Sequence, residues 1–215
     1  MSARVHALFA ELLLSGRERY DFHPRHLVAI AALVGGTLAI LRSYGRPWWC
    51  ACGSWVPWSL DTNGPHNSQH FVDPYSVSHF EHGLFFFVLL SLLRARLSLA
   101  WRLVCAVALE CSWELIENSS FIIDRYRAGT ISLDYYGDSV LNSSSDVLFA
   151  SLGFIAASFF PRDLVSGRPR FWMVWAAVVL ICELSLILTI RDSLAINVLM
   201  LIHPIDAVRA WQSAT

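Results

Sequence analysis

The sequence predicts an all-α, polytopic transmembrane helix bundle of about five spans, and three observations predict it. Hydrophobic residues make up 55% and charged residues 15% of the 215-residue chain, with a mean hydropathy of +0.49; soluble domains hold about 45–50% apolar and about 25% charged residues. Five apolar stretches meet or approach the roughly 20 residues needed to cross a bilayer at about 1.5 Å per residue. The links between them collect the Arg, Pro and Trp residues that favour water and headgroups.

In chain order, Val5, Leu8, Phe9, Leu12 and Leu13 place one apolar face on an interfacial helix within a cytoplasmic amphipathic segment, 1–26. Glu11 breaks that run and no small-residue cleavage site follows it, which argues against a cleavable signal. The spans fall at about 27–42, 79–93, 97–117, 139–160 and 171–190; the first two are short and borrow flanking residues. Arg94-Ala95-Arg96 leaves a tight turn between the second and third spans, hence an antiparallel hairpin. The link 43–78 carries Trp48, Trp49, Trp55 and Trp58 among Pro47, Pro57, Pro65 and Pro74, and reads as an ordered outer loop at headgroup level. Residues 197–211 are apolar but short and interrupted by Pro204, so the tail 191–215 is expected to lie along the outer interface.

Orientation follows from arginine placement. With the N-terminus inside, the inner side holds Arg4, Arg17, Arg19, Arg25, Arg94, Arg96, Arg102, Arg162, Arg168 and Arg170. The outer side holds Arg42, Arg46, Arg125, Arg127, Arg191 and Arg209. The inner excess predicts one integral domain, 1–215, in the inner membrane, with a cytoplasmic N-terminus and a periplasmic C-terminus. The lipid bilayer is its first partner; oligomeric state is left open.

Composition also excludes chemistries. Every basic residue is Arg, so a Schiff-base lysine is absent, and a net charge of −1 argues against a nucleic-acid partner. No HExxH helix, GxSxG elbow or Gly-rich phosphate loop occurs. Cys105 and Cys182 sit in apolar runs as small buried hydrophobes. Cys50 and Cys52 are too close for a relaxed disulfide and lack the second pair of ligands a zinc site wants, so metal or redox chemistry is not expected there.

The informative residues are ionisable groups inside apolar spans: His79 and His82; Glu110, Glu114 and Glu117; Asp138, Asn142 and Asp146. A charge at mid-membrane costs roughly 2.5–3.5 kcal/mol on insertion scales, so such groups persist when they face one another, water or a ligand. Positions 110, 114 and 117 share a helical face. Counting inward predicts three layers: Glu117, Asp138 and His79 at the rim, Glu114, Asn142 and His82 about 5–6 Å in, Glu110 and Asp146 about 12 Å deep. Imidazoles and carboxylates together hold a divalent metal (zinc, iron or manganese), or relay shared protons because like charges in a low dielectric do not all ionise.

Structural roles compete with these. Asp138 after Gly137 fits an N-cap, Glu117 fits a helix end among headgroups, and His79 fits an interfacial residue. Arg125 and Arg127 would pair with Glu117 or Asp134. Glu110, Glu114 and Asp146 would serve as interhelical hydrogen-bonding groups, with Glu183 a lesser candidate for the site. Gly153, Ala157 and the serines at 143, 144 and 145 read as close helix packing.

Several segments are specific: Asn67-Ser68-Gln69-His70, Ser78-His79 with His82-Gly83, Trp113-Glu114-Leu115-Ile116-Glu117-Asn118, the run from Phe121-Ile122-Ile123-Asp124-Arg125 through Asp134-Tyr135-Tyr136-Gly137-Asp138-Ser139, and Asn197-Val198-Leu199-Met200-Leu201-Ile202. Across residues 40–212 they resemble the UPF-0314 family of alphaproteobacterial membrane proteins. The resemblance implies a multi-pass inner-membrane protein and supplies no activity or catalytic residue. In the family pattern Asp73 is followed by Trp-Tyr where this chain has Pro74-Tyr75, and an apolar residue stands in place of Glu81, which ranks Glu81 last among site candidates.

The preferred expectation is a metal-dependent site acting on a lipid or periplasmic substrate. His79, His82, Glu114 and Glu117 are its expected ligands, and Asp138, Asp146 and Glu110 its catalytic carboxylates. A proton-coupled small transporter using Glu110 and Asp146 as a deep relay, and a non-catalytic membrane assembly or scaffold protein, are the alternatives.

Overall fold

The computed structural model describes residues 20–130, 132–160 and 170–213. Among these residues the secondary structure is helical: α1 (Pro24–Ser43), α2 (Ser76–Leu90) extended by a 3-10 turn (Ser91–Leu93), α3 (Leu99–Glu117), α4 (Ser120–Gly129), α5 (Val140–Ser158), α6 (Arg170–Ile190), α7 (Leu194–Ile202) and α8 (Asp206–Ser213). The expected N-terminal interfacial helix, Arg162 and Arg168 lie outside the described residues.

Helices α1, α2 with its extension, α5 and α6 are long and apolar enough to cross a membrane, which makes this a membrane protein. Helix α3 fills the place of the third expected span. Its charged Arg102, Glu110 and Glu114 are buried among neighbouring helices, away from any lipid. On α6, by contrast, Leu180, Ile181, Leu184 and Leu188 are exposed, as suits a helix whose partner is the bilayer.

Serine hydroxyls set the starts of α3, α4, α5 and α7: Ser98, Ser119, Ser139 and Ser193 each accept a hydrogen bond from a backbone N–H in the first turn. The N-cap of α5 is therefore Ser139, and Asp138 is free for another role. Pro24 opens α1, where a missing N–H costs nothing.

The core at one end joins Leu84, Phe87 and Leu90 of α2, Leu99 and Leu103 of α3, Phe154 and Ala157 of α5 and Phe171 of α6. Helices α2 and α5 touch through backbone. A Cβ built on Gly83 would stand 1.9 Å from the Ala150 carbonyl oxygen, and one on Gly153 would stand 1.9 Å from that of Phe80. The packing expectation for Gly153 and Ala157 thus has a direct physical basis.

At the other end the long loop, the 118–139 link and the C-terminal helices meet. The loop is ordered by its own bonds, Val72 N–H to Pro57 O at 2.8 Å and Ser59 N–H to Val72 O at 3.0 Å. It is anchored to α5 as Ser139 N–H donates to Ser68 O at 2.9 Å and Asn142 Nδ2 donates to His70 O at 2.8 Å. Trp55 is 91% exposed, in keeping with a headgroup-level ring.

Pro204 lies in the gap between α7 and α8, as its position in the tail predicts. Tyr126 OH donates to Asn197 Oδ1 at 2.9 Å, so α7 sits on α4. Arg125 donates to the carbonyls of Leu201 and Ile202, and Arg127 donates to Leu133 O and lies over the Tyr136 ring. Neither arginine makes the carboxylate pair expected of it; Arg125 is drawn instead to the terminal carbonyls of a helix. Arg125→Ala is expected to speed backbone hydrogen exchange selectively in α7, read by mass spectrometry in detergent, while α2, α3 and α5 exchange as before.

Candidate functional site

Residues on α2, α3 and α5 converge in a cleft roofed by the loop and the start of α7. Glu110 Oε1 accepts from His79 Nδ1 at 2.5 Å, and Glu110 Oε2 from His82 Nδ1 at 3.1 Å. The i, i+3 spacing sets both rings on one face of α2, with centroids 5.0 Å apart. His79 Nδ1 is also 3.6 Å from Glu114 Oε1, and its Nε2 is 3.9 Å from Asp146 Oδ2. Two donor groups of metal-binding dimensions share His79: His79 with His82 and Glu110, and His79 with Glu114 and Asp146.

Burial sharpens the chemistry. Glu110 and Glu114 are fully buried and Asp146 nearly so. Both oxygens of Glu114 and Oδ1 of Asp146 lack a hydrogen-bond partner within the protein. Orphaned carboxylate oxygens are costly in a low dielectric unless a cation or proton compensates them. The cleft has a cavity volume of ≈ 50 Å³, room for an ion and a few waters. Trp113, Leu194 and Val198 contribute apolar wall; Tyr75, Tyr126 and Tyr135 add hydroxyls.

The depth layers are not those expected. His79 meets Glu110, Glu114 and Asp146 in place of Glu117 and Asp138. The loop contributes to the same region: Asn67, Ser68, His70 and Asp73 are buried, and Asn67 and Ser68 line the cleft. Glu117 and Asp138 line the same cleft but stand outside both donor groups. Asp138 instead accepts from Asn118 Nδ2 at 2.7 Å and Tyr135 OH at 3.0 Å, tying the end of α3 to the start of α5. Asn142 joins His70 O and Asp73 Oδ2. Glu81 is fully buried with both oxygens unpartnered, away from the histidine cluster.

Burial pushes the Asp138 carboxyl up to about 6, against the pull of its two donors. A free aspartate titrates at roughly 3.9, so between these values the folded state holds the extra proton. Its stabilising contribution is full below about pH 4 and is lost as pH rises through about 6. Unfolding temperature measured from pH 4 to 7 in detergent should therefore fall less steeply for Asp138→Asn than for the native protein.

A second donor group lies in the loop, where the sequence reading placed no metal: Cys50, Cys52, His66 and His70. The missing second pair is two histidines rather than two cysteines. The one legible signal was the His66-x3-His70 spacing, which puts both rings on one side of a turn.

Residues 41–214 match the family described as "Protein of unknown function (DUF2585)". The chain is 49% identical over 172 residues to a UPF0314 protein of Paracoccus denitrificans, spanning 79% of this chain and 83% of that one. It is 41% identical over 196 residues to a UPF0314 protein of Rhizobium etli, spanning 89% and 95%, and 44% identical over 183 residues to one of Sphingopyxis alaskensis, spanning 85% and 92%. No solved structure matches the chain.

Proposed function

The chain belongs to the UPF0314 family of membrane proteins, and we propose that its buried His–Glu–Asp cleft is a divalent-metal site acting on a lipid or periplasmic substrate at the outer face of the inner membrane. The observation that carries this reading is the sharing of His79 between two carboxylate groups, with orphaned oxygens on Glu114 and Asp146. Glu110 engages Nδ1 of both rings. That leaves both Nε2 atoms as donors, the one on His79 facing Asp146. A carboxylate behind the histidine is the usual way a metal-binding imidazole is oriented.

His79, Glu114 and Asp146 would hold zinc, iron or manganese, with His82 beside them, and such an ion supplies a polarised bound oxygen and an acidified water. Glu117 and Asp138, nearer the mouth, are placed to exchange protons with a substrate. The apolar wall of the cleft and the exposed Trp48, Trp55 and Trp58 around its loop favour a substrate presented from the bilayer.

Metal stoichiometry by mass spectrometry on protein purified in detergent without chelator tests the proposal. Native protein should carry one more equivalent of zinc, iron or manganese per chain than His82→Ala or His79→Ala protein of unchanged folded fraction. Equal metal content in the native and variant proteins would overturn it. The buried, unpartnered carboxylates also support a proton-coupled transporter; there Asp146→Asn would abolish pH-driven uptake into vesicles and metal content would be irrelevant.

A further inference from the structure

We infer that the outer loop carries a second metal centre of different chemistry, a Cys2His2 zinc site formed by Cys50, Cys52, His66 and His70. It involves none of the bundle residues discussed above and stands whether or not the cleft holds a metal.

The four donor atoms lie within 4.8 Å of one another. Cys50 Sγ is 3.2 Å from His66 Nδ1, and Cys52 Sγ is 3.7 Å from His70 Nε2. Zinc bonds of about 2.3 Å to sulfur and about 2.0–2.1 Å to nitrogen, at a tetrahedral angle, put S and N about 3.6 Å apart. The observed separations bracket that value. All four side chains thus already face one point without an intervening residue.

The surroundings prepare each donor. His70 Nδ1 lies 2.7 Å from the Val56 carbonyl oxygen. A carbonyl only accepts, so Nδ1 carries the hydrogen and the Nε2 lone pair points to Cys52. The Cys52 N–H approaches Cys50 Sγ at 3.5 Å, and the Ser54 N–H approaches Cys52 Sγ at 3.4 Å. Backbone donors of this kind favour sulfur as thiolate, the form that binds metal, at Cys50 against the burial that pushes its thiol up. Trp49 Nε1 clamps the turn through Ser54 O at 2.6 Å, and Gly53 at φ +71° permits the chain reversal there. Cys50 and His70 are buried while Cys52 is exposed, which leaves an entry side.

Sulfur and imidazole in a tetrahedral set select zinc over the harder cations that suit carboxylates. The need is structural. The connection between α1 and α2 is a long stretch without a helix of its own, a kind of loop uncommon unless it has a function, and a metal would add to the few backbone bonds that order it. The staple has a target: His70 O accepts from Asn142, Ser68 O accepts from Ser139, and Asn67 and Ser68 line the cleft. Zinc on His66 and His70 would fix the segment that closes the mouth.

X-ray absorption at the zinc edge, on full-length protein purified reduced in detergent and loaded with zinc alone, reads the site through its sulfur scatterers. The expected result is a sulfur shell at about 2.3 Å, two sulfurs per zinc in His79→Ala protein, where the cleft is empty, and none in Cys50→Ser/Cys52→Ser. Cobalt loading should add thiolate-to-metal charge-transfer absorption with the same dependence. His66→Cys provides a gain of signal that misfolding cannot mimic, since a third sulfur should enter the shell. A native spectrum with nitrogen and oxygen scatterers only, or Cys50 and Cys52 recovered as a disulfide from native protein, overturns the inference. Loss of metal in His79→Ala with the sulfur shell retained separates the two sites.

Discussion

Gly153→Leu is expected to abolish the assembled bundle, and Gly153→Ala to weaken it severely. A Cβ at this position would stand 1.9 Å from the Phe80 carbonyl oxygen, and the reciprocal Gly83 position meets the Ala150 carbonyl oxygen at the same distance. These obstacles are backbone atoms of packed helices, so no side-chain rotation relieves them. Core overpacking costs about 1–3 kcal/mol where side chains can shift, and more where helices must separate. The same contact holds His79 and His82 of α2 against Asp146 of α5, so the separation that admits a methyl also pulls the cleft apart. Fluorescence-detected size exclusion after graded heating should show the Gly153→Ala midpoint well below native. Gly36→Ala is the control, because nothing lies within 4 Å of a Cβ there and removing a helical glycine stabilises by roughly 0.5–1 kcal/mol. Equal midpoints for Gly153→Ala and native protein would refute the backbone-contact account of this interface.

His79→Ala is expected to remove the metal of the cleft outright, whereas Glu110→Gln weakens it by about 10–100-fold, the range for a residue that orients a ligand from behind. The order follows from geometry: His79 belongs to both donor groups, while Glu110 engages the Nδ1 atoms. Competition with a chelator of known affinity measures both variants. Glu117→Gln, outside both groups, should leave affinity within a few-fold of native. An affinity loss for Glu117→Gln as large as that of His79→Ala would move the centre toward the rim and restore the layer order expected from counting residues.

The class of fold and the identity of the ionisable groups that end up buried together were legible in the chain because both rest on short-range properties. Length and hydropathy set where the helices run: the observed spans begin and end within a few residues of those expected, and the helix-period spacing of Glu110, Glu114 and Glu117 set one face. The cost of charge in an apolar span marked His79, His82, Glu114 and Asp146 before any contact was known. Short-range patterns say nothing about how far one element slides along another. His79 meets Glu110, Glu114 and Asp146 and not the rim residues Glu117 and Asp138. The partners of Cys50 and Cys52 were hidden for the same reason, since ligands separated by a loop show no period. Sequence alone determined the helices, their membrane character and the groups too costly to leave unpaired, because each follows from local periodicity and transfer free energy. Only the tertiary structure decided which of those groups meet, because meeting depends on how the helices pack against one another, including the backbone contact of α2 with α5 at Gly83 and Gly153.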